Sequence, residues 1–380
     1  MKKKHIAFVV NGLYGGGAEK VLQVFLAHFD REKYDITLIN HREDEMSYEY
    51  YPADIQYKSI LKSIEKRKSK AGKLWVKIFN KINLFIYNHF SPTLFRRLYL
   101  RDKFDVEIAF IEGYATRIVS GGYSGRKIAW VHIDLNISPW TDIAFRSKEE
   151  QTTCYSSFDE VVSVSESVKE SLEKLYSRQS IVIYNPIDVE EIREMSALYT
   201  VERDKKKLLF VSVGRLVPQK GYDRLIPIIG KLIAEGFDFR LWIVGEGAER
   251  IRLEKLIREW NLEEIVTLWG NQSNPYPYIA ASDVFVCSSR SEGYSTAVTE
   301  ALILGLPVVT TLCAGMEELL DGGEYGIIVE NEDEALLKGM RNVLSDRKLM
   351  SRYADRIERD KNRFSLERQM NNIYQVIDNE

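Results

Sequence analysis

Short apolar runs alternate with longer helical stretches along the whole chain, and this alternation limits the folds open to it. In the first half the runs are His5–Val10, Asp35–Asn40, Val106–Phe110, Lys127–His132, Glu160–Ser165 and Ile181–Tyr184. In the second half they are Leu208–Val213, Phe239–Val244, Ile265–Trp269, Val284–Cys287, Pro307–Thr311 and Gly326–Val329. Strands separated by helices predict parallel, doubly wound α/β sheets rather than hairpins. A chain of 380 residues is long for one core and suits two domains of ordinary size. The break is expected at Tyr184-Asn-Pro-Ile-Asp188, after which a charged, apolar-poor stretch runs to about Lys207, giving domains 1–188 and 189–363. No residue-level repeat relates the halves, so two similar folds are expected and not a duplicated sequence.

Composition narrows the function. A hydrophobic content of 45% suits a soluble globular protein, and a net charge of −3 gives no overall nucleic-acid footprint. Cys154, Cys287 and Cys313 form no ligand-like spacing, so reduced thiols and a cytoplasmic setting are expected. The apolar part of the first run is five residues long, Ile6–Val10, too short for a signal-peptide core. No stretch approaches the 18 or so apolar residues of a membrane span.

The stretch Ser288-Ser-Arg-Ser-Glu292-Gly293-Tyr294-Ser295-Thr296-Ala-Val-Thr-Glu300 follows the apolar run Val284–Cys287. Gly293 permits a tight turn, Ser295 or Thr296 can cap a helix, and Gly305 with Pro307 ends it. The free N–H groups and macrodipole of such a helix start favour a phosphate. Eight residues from Glu292 to Glu300 span roughly 12 Å if helical, so a carboxylate could sit at each end of a diphosphate. A capped helix with one solvated glutamate fits the spacing equally well.

Other strand ends carry polar groups as well. The loop Asn11-Gly-Leu-Tyr-Gly15-Gly16-Gly17-Ala-Glu19 opens a helix, and its small residues let backbone amides approach a ligand. It is neither a dinucleotide fingerprint nor a P-loop, which argues against a dehydrogenase. Gly214-Arg215-Leu-Val-Pro-Gln-Lys220-Gly221 places two cations on one loop, able to hold a diphosphate without a metal. Trp130-Val-His132-Ile-Asp134 ends a strand where ligands bind in open α/β sheets. Finally, Lys62–Lys103 holds twelve Lys or Arg, among them Lys66, Arg67, Lys68 and Lys70, against Glu65 and Asp102. Aromatic and aliphatic residues interleave with these cations. Such a segment can lie on an anionic membrane surface, or it can be a solvated helix whose aromatics enter the core.

Glu292 and Glu300, set within Ser-Glu-Gly-Tyr-Ser…Glu-Ala-Leu and followed by Gly305-Leu-Pro-Val-Val-Thr-Thr, resemble the paired-glutamate motif of retaining GT-B glycosyltransferases of the family 4 (group 1) type. The glycine loop, the Gly-Arg…Lys-Gly loop and Trp-x-His are similar to segments of the same family, which includes bacterial capsular and cell-surface polysaccharide enzymes. The resemblance implies two facing Rossmann-like domains, with residues 364–380 forming a helix that crosses back onto the first. It implies transfer of a hexose from a nucleotide diphosphate sugar, with uridine the expected base, and retention at the anomeric carbon. Arg215 and Lys220 would clamp the diphosphate. Glu292 would bind sugar hydroxyls, Glu300 the ribose, and His132 the sugar. Gly16, Gly17, Gly214, Gly245, Gly270, Asn271, Gly293, Tyr294, Ser295 and Thr296 would line the donor, and Asp134 would contact the acceptor. Front-side attack, with the departing phosphate taking the acceptor proton, is the expected mechanism. No cofactor and no metal are expected. The acceptor expected is a lipid-linked glycan at the inner face of the cytoplasmic membrane, with a soluble acceptor, as in a small-molecule transferase or a glycogen-type synthase, as the alternative.

Overall fold

The computed structural model describes residues 2–13, 16–43, 51–123 and 125–378; Gly15 of the glycine loop lies outside them. Two compact units emerge, residues 1–186 with 367–380, and residues 187–366.

The first unit holds a seven-stranded parallel sheet. Its strands are β1 (Lys4–Val10), β2 (Tyr34–Arg42), β3 (Gln56–Leu61), β4 (Val106–Ala109), β5 (Arg126–Val131), β6 (Glu160–Ser163) and β7 (Ile181–Val182), in the order β3-β2-β1-β4-β5-β6-β7. The order reverses beside β1, which is the doubly wound topology with its ligand end at the strand C-termini. Strand β3 is absent from the sequence expectations. It is an edge strand whose first four residues are exposed or half-buried, so its apolar signal is weak. The last helix, Leu366–Asp378, packs on this unit: Tyr374 stacks on Tyr34 at 5.6 Å, and Tyr34 donates to Asp378 at 2.7 Å.

The second unit holds a six-stranded parallel sheet: β8 (Leu208–Val213), β9 (Phe239–Val244), β10 (Val266–Gly270), β11 (Val284–Cys287), β12 (Val308–Thr311) and β13 (Gly326–Val329), in the order β10-β9-β8-β11-β12-β13. Here the order reverses between β8 and β11. Two apolar clusters cover the two faces, one built on the helix Tyr222–Ala234 and the other on the helix Thr296–Ile303.

The basic segment folds as two helices, Lys70–His89 and Pro92–Tyr99. Val76, Asn83 and Tyr87 form the buried side of the first. Leu74, Trp75, Ile78, Ile82 and Phe85 lie on the outside, each more than half exposed. From Trp75 on they recur at intervals of three or four, with Leu74 adjoining, forming one helical stripe with Lys73, Lys77 and Lys81 exposed beside it. Those residues therefore do not fill the core, whereas Tyr87 and Phe95 do. One cation is also withdrawn from the patch. Arg96 is fully buried and clamps Glu107 of β4 bidentately, at 2.9 and 3.1 Å. Burial raises the Glu107 carboxyl, with the guanidinium opposing.

Removing one member of a buried pair leaves an uncompensated charge. Arg96→Ala should destabilise the first unit by about 3–5 kcal/mol, read as a lower urea midpoint. The double change Arg96→Met, Glu107→Leu should recover most of that loss. An unchanged midpoint in the single variant would show that the pair does not hold this helix.

Candidate active site

In the second unit the loops after β8 and β11 are joined into one frame. Gly221 has φ of +69° and sits so close to the other loop that a Cβ would lie 2.1 Å from the Ser288 carbonyl oxygen. Ser288 Oγ donates to the Lys220 carbonyl at 2.8 Å, and the Arg290 amide donates to the Gln219 carbonyl at 2.7 Å. Gln219 returns a bond to the Ser291 carbonyl at 2.8 Å. Arg224, buried one turn into the helix after Gly221, donates to the Ser288 and Ser289 carbonyls, each at 2.7 Å through Nη2. Arg224 and Ser289 escaped the sequence reading, because nothing local marks an arginine on a helix or one serine among four.

The frame brings together Lys220 and Glu292, 72 residues apart in the chain. The Lys220 ammonium donates to Glu292 Oε1 at 2.7 Å, and the Ser289 hydroxyl donates to the same oxygen at 2.5 Å. Burial works against the ammonium, but the charge and hydrogen bond of Glu292 outweigh it, holding Lys220 well above the ordinary lysine range. Glu292 is only 8% exposed. Two residues expected at different parts of a ligand thus already form a charge-assisted pair. Arg215 stands exposed on the same loop, and its guanidinium has no partner among the described residues.

The helix Thr296–Ile303 begins beside this pair. Ser295 caps it, its Oγ accepting from the Val298 amide at 3.5 Å, while Thr296 and Ala297 have no amide acceptor among the described residues. It ends in a Schellman turn, the Leu306 amide bonding the Ala301 carbonyl around Gly305 at φ +83°. Because Glu292–Ser295 is a turn and not helix, the 12 Å span between Glu292 and Glu300 does not apply; only Thr296–Glu300 rises at the helical rate. Glu300 is buried in the second turn. A small cleft of about 10 Å³ opens here, lined among others by Ser212, Lys220, Cys287, Ser288, Ser295 and Ala297.

Several expected donor glycines serve the frame itself. The Gly245 amide is spent on the Gly270 carbonyl at 2.8 Å, and a Cβ on Gly245 would lie 2.0 Å from the Gly214 carbonyl oxygen. Gly214 lets Lys220 and Tyr222 pack over it. The Gly293 carbonyl is covered by Gly315, and Tyr294 and Thr296 are half-buried. Asn271 is exposed.

In the first unit, His132 follows β5 directly. Its amide donates to Glu112 Oε2 at 3.0 Å, and its ring bonds the Phe110 carbonyl. Burial pushes the imidazole down to about 4 despite that bond. It is therefore neutral at pH 7, with Nε2 buried and unpartnered. Gly16 caps the helix Gly17–His28, and Glu19 folds back over it so that a Cβ on Gly16 would meet Oε2 at 2.5 Å. That helix start already faces a carboxylate. Asp134 is turned onto its own loop, accepting from the Asn136 amide at 2.8 Å and Ser171 Oγ at 2.6 Å. Lys66 lies 3.8 Å from Glu43, and Lys68 and Lys70 are exposed. Among the described residues, no three His, Cys, Asp or Glu are grouped as a metal would require.

Residues 200–360 match the family Glycosyl transferases group 1. That match spans the β8 loop, Glu292 and Glu300. The two parallel-sheet units have the fold of GT-B proteins, and the second unit resembles the glycosyl transferases of group 1. Among its relatives, an N-acetylgalactosamine-N,N'-diacetylbacillosaminyl-diphospho-undecaprenol 4-alpha-N-acetylgalactosaminyltransferase of Campylobacter jejuni is 27% identical over 92% of this chain and 93% of its own. A putative colanic acid biosynthesis glycosyltransferase WcaL of Salmonella typhimurium is 31% identical over 45% of each chain. The fold of Anabaena Alr3699/HepE, solved with UDP, superposes with a TM-score of 0.71 at 17% identity, covering 99% of this chain and 100% of that one.

The frame predicts a difference between two glycines of the second unit. Gly221→Ala carries both left-handed strain and the clash with Ser288, whereas Gly236→Ala, at φ +94° with no atom within 4 Å, carries strain alone. The second should cost about 1 kcal/mol. The first should cost several times that and abolish nucleoside diphosphate binding by calorimetry. Equal melting points and equal binding for the two variants would rule out the close approach of the loops.

Proposed function

We propose that this protein is a group 1 glycosyltransferase that moves a hexose from a nucleotide diphosphate sugar, with UDP as carrier, onto a lipid-linked glycan acceptor of a bacterial surface polysaccharide, with retention at the anomeric carbon. The observation that carries the donor half is the Lys220–Glu292 pair beside a capped helix start, with Arg215 free on the same loop. As the sugar bond breaks, negative charge builds on the diphosphate. Arg215, Lys220 and the Thr296 and Ala297 amides are disposed to stabilise it, so neither a metal nor a cofactor is called for. Glu292 offers its second carboxylate oxygen to sugar hydroxyls, and Glu300 serves the ribose. The neutral His132 accepts a hydrogen bond from the sugar through Nε2. The departing phosphate takes the acceptor proton in a front-side attack.

The acceptor half rests on the outer stripe of the helix Lys70–His89. Five large apolar side chains flanked by lysines suit an anionic membrane surface, where apolar contact and roughly 1 kcal/mol per nearby cation add. The Campylobacter relative, whose printed name specifies a diphospho-undecaprenol acceptor, supports the same reading. No helix among the described residues is long and apolar enough to cross a membrane, and attachment at the inner face would be peripheral.

Arg215→Ala and Lys220→Ala should each lower kcat by about 10²-fold or more, with a rise in donor KM. Nucleotide release from a panel of UDP-hexoses measures this, and wild-type turnover in either variant would remove that residue from the mechanism. Retained activity in chelator is also expected.

The purified protein should co-sediment with phosphatidylglycerol liposomes at low salt and be released near 1 M salt, where the screening length falls to about 3 Å. Trp75→Ser with Ile78→Ser and Ile82→Ser should weaken that binding without changing donor hydrolysis. Indifference to anionic liposomes would favour a soluble acceptor.

A further inference from the structure

Glu112, three residues after the end of β4, is a buried acid with no part in the chemistry described above. It is 3% exposed and stands where the β4–β5 ladder ends, Ala109 pairing with Ala129 in the last register position. Beyond that point β4 no longer offers a carbonyl to the β5 main chain, and the Glu112 side chain continues the ladder by accepting the His132 amide at 3.0 Å. The strand end holds His132 a second time through the Phe110 carbonyl, which takes the ring N–H. Asn11, at the end of β1, locks this turn in place, donating to the Glu112 carbonyl at 2.7 Å and accepting from the Ala115 amide at 2.8 Å. Both donors of His132 are thereby fixed on residues 110–112, and Nε2 alone is left to act.

We propose that Glu112 is a positioning residue for His132, and that its carboxylate, not merely an acceptor atom, sets how well the imidazole works. The proposal rests on the role given to His132 above. An amide side chain of the same shape would cap the same N–H, yet the chain places an acid there. That acid is costly. Burial, the largest influence, pushes Glu112 up to about 7, with the His132 amide opposing and Glu19 adding to the rise. The titratable groups around it are Glu19 on the helix Gly17–His28, His132 after β5 and Tyr155 on the helix Lys148–Ser156. None of these is a cation at neutral pH. Since the folded carboxyl lies above its unfolded value, its contribution to stability is complete at acid pH and is lost as pH rises through about 7. Above neutrality the fold carries a buried carboxylate that a glutamine would spare it. What the charge supplies in return is a stronger, charge-assisted bond to the His132 amide.

The test compares wild type, Glu112→Gln, His132→Ala and the double variant between pH 5.5 and 9. It follows UDP release from UDP-glucose, UDP-galactose and their N-acetyl forms, with melting points and the 15N-histidine amide spectrum recorded alongside. Glu112→Gln should melt no lower than wild type at pH 8, yet turn over about tenfold more slowly. It should also lose both the acidic fall in kcat near pH 7 and the matching inflection of the His132 amide signal. In the His132→Ala background it should cost nothing further, because residues acting as a unit are not additive. The idea is overturned if Glu112→Gln keeps wild-type turnover and pH profile, if its loss simply adds to that of His132→Ala, or if the His132 amide signal of wild type is flat across the range. Wild-type turnover in His132→Ala would overturn the assignment of His132 itself, and the positioning role with it.

Discussion

The strand-end frame of the second unit depends on one contact that the backbone makes possible, the close approach of Gly221 to the Ser288 carbonyl. Only a residue without a Cβ fits there, and only in the left-handed region. Once the two loops lie against each other, Ser288, Gln219, Arg290 and Arg224 tie their carbonyls and amides together. Lys220 and Glu292 are then held at 2.7 Å by a frame that cannot relax. A cation positioned in this way costs no reorganisation when charge develops nearby, which is the main source of electrostatic catalysis. Its pairing with Glu292 keeps a poorly solvated ammonium charged.

The first unit meets a different constraint at its strand ends. Its glycine-led helix start faces Glu19, and its histidine is neutral and held by Glu112 and Phe110. The second unit gathers Arg215, Lys220 and the first amides of the helix Thr296–Ile303 at its strand ends. Hydroxyl groups need acceptors, and a buried neutral imidazole with a bare Nε2 is one.

The helix Lys70–His89 shows why charge counts alone are a blunt guide. Of the twelve cations between Lys62 and Lys103, Arg96 is consumed by a buried ion pair and Lys66 leans toward Glu43. What remains is organised by the helix period into lysines beside an apolar stripe. The stripe is exposed because the opposite side is already buried, Tyr87 packing against the rings of His41, Phe95 and Tyr114.

Much of the architecture was legible in the amino-acid sequence because its causes are local. Apolar runs fixed twelve of the thirteen strands, Ser295 and Gly305 fixed the ends of the glutamate helix, and the cationic loop was marked by its flanking glycines. Strand β3 was not legible, since an edge strand is buried too little to leave an apolar pattern. Contacts between distant residues were decided by tertiary structure alone. Lys220 meets Glu292 across 72 positions and Glu112 meets His132 across 20, and neither sequence neighbourhood records the other. Sheet order decides such pairs, because strands adjacent in space are not adjacent in sequence. The reversals beside β1 and between β8 and β11 bring the polar strand ends together.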